Sequence, residues 1–84
     1  MNSRHRRTLD KLFAEPMPHT MRWSDVASLL GAVGMLTSGA GSRVHALVNG
    51  RPATFHMPHP SNEIRTKTIK DIRDFLADAG VRPD

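Results

Sequence analysis

The chain contains no cysteine and no tyrosine, and only one tryptophan and three phenylalanines among its 84 residues. Without cysteine there are no disulfides, no thiolate zinc sites and no cysteine nucleophile, which fits a reducing compartment and makes the cytoplasm the expected location. Long hydrophobic runs are missing too. No stretch approaches the roughly 18 apolar residues of a membrane span, and the opening "MNSRHRRTLD" has no hydrophobic signal core, so neither a membrane nor export is expected. There is no phosphate loop and no G-x-S-x-G elbow, and "GAVGML" neither follows an expected strand nor opens a helix as a nucleotide fingerprint would. A convincing carboxylate pair for glycoside chemistry is also lacking. These absences narrow the chain to nucleic-acid or protein partners.

The length supports one small domain with a marginal core, and a large buried substrate cavity is not expected. Twelve Lys and Arg against eight Asp and Glu give a formal charge of +4, and five histidines can add to it. Such a balance favours a polyanionic partner, although solubility alone can account for this much charge.

Residues 1–20 read as a basic helical extension and linker, and residues 21–84 as the domain proper. In "SRHRRTLDKLFAEP", Leu9, Leu12 and Phe13 have helical spacing behind Thr8 as a cap, and Pro16 stops the helix. Arg4, Arg6 and Arg7 are either phosphate contacts or a charged terminus. In "WSDVASLLGAVG", Val26, Leu29, Leu30 and Val33 form an apolar stripe, with Ser24 as the expected cap and Gly34 as the stop. Trp23 could stack on a base, but beside a helix start it is expected to anchor the chain to the core. A short strand is expected near Met35 to Thr37. The last segment, "TKTIKDIRDFLADAGVRP", places Ile69, Ile72, Leu76 and Ala79 on one stripe, with Thr66 or Thr68 as cap and Gly80 and Pro83 as the stop.

Between these helices lies "GSRVHALVNGRPATFHMPHP". Asn49-Gly50 is a strong hairpin signal because both residues tolerate the positive φ of a type I′ turn. A two-residue loop would pair Val48 with Arg51, Ala46 with Ala53, His45 with Thr54, Val44 with Phe55 and Arg43 with His56. One face then carries Val44, Ala46, Ala53 and Phe55, and the other Arg43, His45, Leu47, Thr54 and His56. A slip of one residue would exchange the faces. Pro52 suits an edge strand or a position whose nitrogen faces away from its partner. The simplest architecture is α+β: a three-stranded antiparallel sheet with helices on one face, plus the N-terminal helical extension.

RNA cleavage by side chains needs a base for the 2′-hydroxyl proton, an acid for the leaving 5′-oxygen and a cation near the phosphate. Arg43, His45 and His56 offer these types on one face. Imidazole titrates near roughly 6.5 and suits both proton-transfer roles, each typically contributing about 10² to 10⁴ in rate. Arg43 can grip a phosphate with two donors. The same residue types also occupy solvent-facing sheet surfaces without any chemical role. His59, between Pro58 and Pro60, either shapes its loop or contacts phosphate. A metal set built from "HMPH" and His45 would have neither carboxylate nor thiolate beside it, and no metal or cofactor is expected. His5 and His19 carry no signal.

Taken in order, a helix ending in Gly34, the Gly41-Ser42 pair, the turn, "PHP" at Pro58 to Pro60 and "IKDIRDFLADAGV" at the close resemble the HicA family of toxin-antitoxin mRNA interferases. The similarity runs from about Trp23 to Val81. It implies a small double-stranded-RNA-binding-like domain of order α-β-β-β-α, and a type II toxin that cuts mRNA without a metal and is silenced by a HicB-type antitoxin. In the family a catalytic histidine closely follows the Gly-Ser pair. Here Arg43 takes that place and His45 is the first histidine, so His45 is the expected base, His56 the acid and Arg43 the phosphate clamp. Positions 43 and 45 share a face, and His45 would act from roughly 7 Å further along the strand. Arg43, Arg51 and His59 are expected RNA contacts, and Lys67, Lys70 and Arg73 of the last helix either extend the RNA track or form a solvated helix face. His59-Pro60 matches the family's His-Pro pair. The N-terminal extension has no counterpart in the shortest members and would add surface for the antitoxin or for self-association. Two rival readings stand beside this one: an RNA-binding module that does not cut, and a protein-interaction domain with no nucleic-acid role.

Overall fold

The computed structural model describes residues 1–57 and 62–83. Helix α1 (Ser3–Leu12) is followed by strand β1 (Thr20–Arg22), helix α2 (Trp23–Val33) and strands β2 (Met35–Ser38), β3 (Arg43–Val48) and β4 (Arg51–His56). Strand β5 (Glu63–Arg65) and helix α3 (Thr66–Asp78) complete the chain. This is a small α+β domain whose principal sheet is antiparallel in the order β2-β3-β4, as the patterning predicts. No helix among the described residues is long and apolar enough to cross a membrane.

The hairpin has the predicted register, from Val48 opposite Arg51 to Arg43 opposite His56. Asn49 and Gly50 have φ of 51° and 80°, the left-handed values a type I′ turn requires. The Asn49 side chain does a second job: its Nδ2 donates to Ala79 O at 2.8 Å, tying the hairpin tip to the end of α3. There, Val81 N–H donates to Leu76 O and Gly80 N–H to Ala77 O, a Schellman ending made possible by Gly80 at φ 84°. Pro52 sits on β4, an edge strand, where its missing N–H costs the sheet little.

Register sorts the side chains. Ala46, Val48 and Phe55 face inward and are buried with Val26, Leu29, Leu30, Ile64, Ile69, Ile72 and Leu76 in one core. Phe55 meets Phe75 edge to face at 5.9 Å, which sets α3 behind β4. Gly34 ends α2 where the chain passes close to β3: a Cβ there would fall 2.1 Å from Leu47 O, so a side chain cannot be added without moving backbone. Leu9 and Leu12 of α1 belong to the same core, and Leu12 is wholly buried. Arg4 reaches Asp25 at 3.1 Å and His5 Nε2 lies 2.8 Å from Ser28 Oγ, so polar contacts flank the α1–α2 seam.

The helix starts differ from expectation. The cap of α1 is Asn2, whose Oδ1 accepts from His5 N–H at 2.8 Å; Thr8 sits inside the helix and donates to Arg4 O. For α2 the chain turns at Arg22 rather than Ser24, and the cap comes from far away: Asn62 Oδ1 accepts from Ser24 N–H at 3.0 Å, and Asn62 O accepts from Trp23 N–H at 2.9 Å. Helix α3 starts after Arg65 with no side-chain cap, so neither Thr66 nor Thr68 fills that role. Trp23 is half-buried and packs against the core. A second, two-stranded antiparallel sheet pairs Thr20 with Arg65, Met21 with Ile64 and Arg22 with Glu63, placing Met21 and Ile64 inward.

Candidate nucleic-acid interface

The helices cover one side of the principal sheet, leaving the other exposed. On that outer side β3 presents Arg43, His45 and Leu47, and β4 presents His56, Thr54 and Pro52 directly opposite them. Strand β2 adds Thr37 beside His45 and Met35 beside Leu47. Arg43 and His56 are thus cross-strand partners, and His45 is a diagonal neighbour of His56, a separation of roughly 7 to 8 Å. Two imidazoles at that distance can reach opposite sides of one phosphodiester.

His45 is the most constrained of the three. Its Nδ1 lies 3.0 Å from Thr54 Oγ1, the cross-strand partner that register places there. Its other edge lies over Gly39, where a Cβ would stand 2.5 Å from Nε2. Gly39 is held by its N–H, which donates to Arg43 O at 2.8 Å, and the tight connection to β3 uses Gly41 at φ 65°. Thr54 could be found from the hairpin register alone. Gly39 could not, because its approach to the ring depends on the path of the turn.

The expected RNA contacts do not all gather here. Arg51 has the parity of Ala53 and Phe55 and stands at the hairpin tip, off the outer face. Lys67 and Lys70 are exposed on α3, behind the sheet. Lys70 lies 3.7 Å from Asp74, and Arg73 bridges Glu15 at 3.8 Å and Asp74 at 3.5 Å, so carboxylates already offset part of that helix's positive charge. Arg4 is engaged by Asp25. His59 lies outside the described residues. Within the described residues no three histidine or carboxylate side chains gather as a metal centre would require.

Charge is segregated between the layers. Every Asp and Glu lies outside residues 26–62, so the three strands of the principal sheet carry no carboxylate. The outer face is therefore cationic at one end with no internal counter-charge, which favours a polyanion. An open hollow of about 300 Å³ runs beside His45, lined by Met35, Thr37, His45, Ala46, Leu47 and Pro52. A larger one of about 480 Å³ lies between α1, β1, α2 and β5, but mixes Lys11 and Arg22 with Asp25 and Glu63 and so presents no single sign of charge.

No protein-family model, curated protein or solved structure matches this chain.

Proposed function

We propose that the chain is an RNA-cleaving toxin of the HicA kind that works on the outer face of its principal sheet. One observation carries the reading: Arg43, His45 and His56 share an exposed, carboxylate-free surface, with His45 steadied by Thr54. With Nδ1 beside Thr54, Nε2 is the nitrogen that takes the proton from the ribose 2′-hydroxyl. The 2′-oxygen then bonds to phosphorus, the bond from phosphorus to the 5′-oxygen breaks, and His56 returns a proton to that oxygen. Arg43, next to His56, balances the charge that builds on the phosphoryl oxygens. The products are a 2′,3′-cyclic phosphate and a 5′-hydroxyl. The setting is the cytoplasm, where mRNA and a HicB-type antitoxin would be met.

Arg43 itself favours a second reading, because it follows Gly41-Ser42 where the family carries its histidine; in that case the protein binds RNA without cutting. Inducing the wild type and His45→Ala in bacteria without antitoxin separates the two. Growth arrest with new 5′-hydroxyl mRNA ends that disappear in the folded variant supports cleavage. Salt-sensitive RNA binding with no ends from either protein makes it a binding module.

A further inference from the structure

The outer face is graded along β3. Its first row is Arg43 and His56, its second Thr37, His45 and Thr54, and its third Met35, Leu47 and Pro52. Rows two residues apart are separated by about 6.8 Å, so cation, imidazole and apolar row succeed one another over about 14 Å. The apolar row is not a by-product of core packing: Met35 is 62% exposed and Leu47 44%, and both point away from the helices. The hollow of about 300 Å³ joins this row to His45 and sits at the small end of the range of ligand sites, a size suited to one planar group and its sugar.

Resting on the RNA reading above, we infer that the third row receives the face of a single unpaired nucleobase, whose phosphate lies at Arg43 and His56 and whose ribose lies at His45. The protein would then act on unpaired RNA. A duplex keeps its base faces stacked on one another and would bring only sugar and phosphate to Met35 and Leu47, leaving both apolar side chains against a charged backbone. An unstacked base gains apolar and dispersion contact on the same row, and the Met35 thioether is a polarisable partner for an aromatic ring. The chain has few aromatic residues, and among the described residues no phenylalanine or tryptophan lies on this face, so Met35, Leu47 and Pro52 supply the platform that such rings supply elsewhere. Binding the base there also fixes the reacting ribose over His45, which free phosphate contacts cannot do.

The test uses the full chain and a 2′-O-methyl oligoadenylate of about twelve nucleotides, which cannot be cut because its nucleophile is blocked. The same strand annealed to a 2′-O-methyl complement serves as duplex, and fluorescence anisotropy reads both. Binding of the unpaired strand at least about tenfold tighter than duplex is expected, with Met35→Thr and Leu47→Thr each reducing that preference and Leu47→Tyr increasing it. Both positions are exposed and Thr and Tyr suit strands, so circular dichroism should report intact folds. Equal binding of the two forms, unaffected by these changes yet weakened by Arg43→Gln and by salt, overturns the base site and leaves the RNA reading standing. Absence of any RNA binding at low salt overturns both and directs attention to a protein partner for the apolar row.

Discussion

At the scale of single residues, His45 differs from its neighbours in being held from two sides. Thr54 fixes one ring nitrogen and Gly39 leaves just enough room for the other edge. His45→Ala should reduce RNA cleavage by about 10² to 10⁴ if the imidazole is the base. Thr54→Val should cost less, roughly tenfold, because it removes only the contact that orients the ring; thermal melting of the variant should be close to wild type. Gly39→Ala is the sharper probe. Its new Cβ would displace the imidazole without touching the core, so cleavage should fall while the melting temperature stays within a few degrees. Cleavage by Gly39→Ala at the wild-type rate would show that the ring position seen here does not matter.

At the scale of elements, the hairpin was readable because Asn49-Gly50 fixes both turn and register, and register then assigns every side chain to a face. That is why the pairing of Arg43 with His56 and of His45 with Thr54 could be written from the sequence. The β1–β5 pairing could not, since three-residue strands are too short to display an alternation. Nor could the cap of α2: Asn62 lies 38 residues from Ser24, and a local search for Ser, Thr or Asp at the helix start picks the wrong residue. Asn62→Ala should lower stability by roughly 0.5 to 2 kcal/mol in urea unfolding, as loss of a cap does elsewhere, whereas Ser24→Ala should cost less. Lys67 and Lys70 have a helical spacing that is legible in the sequence, and the packing of Phe75 on Phe55 sets their helix behind the sheet, on the side the hairpin's apolar face leads one to expect.

At the scale of the whole molecule, charge and burial divide the labour. The helices carry five of the eight carboxylates and cover the core, and the principal sheet, which has none, offers an outer face with Arg43 at one end. Helix α1 takes part in that division although its basic sequence suggests an appendage. Leu12 is completely buried, and Leu12→Ala should destabilise the protein by about 2 to 5 kcal/mol, a large share of what a domain this small possesses. Removing residues 1–18 should therefore abolish cooperative unfolding by calorimetry. A truncated chain with a sharp, unshifted transition would instead make α1 dispensable.

The short β1–β5 ladder clasps both ends of the segment that holds α2 and the principal sheet, and Thr66 Oγ1 donates to His19 O across 47 residues of chain beside it. In kinetic terms this clasp is the contact that must wait. Helix turns and the Asn49-Gly50 hairpin close within microseconds from neighbouring residues, but the clasp forms only after a long loop has shut, with an entropic cost that local contacts do not incur. Substitutions in the clasp should then speed unfolding while leaving the folding rate almost unchanged, making Met21 and Ile64 the latch that sets how long the native molecule persists.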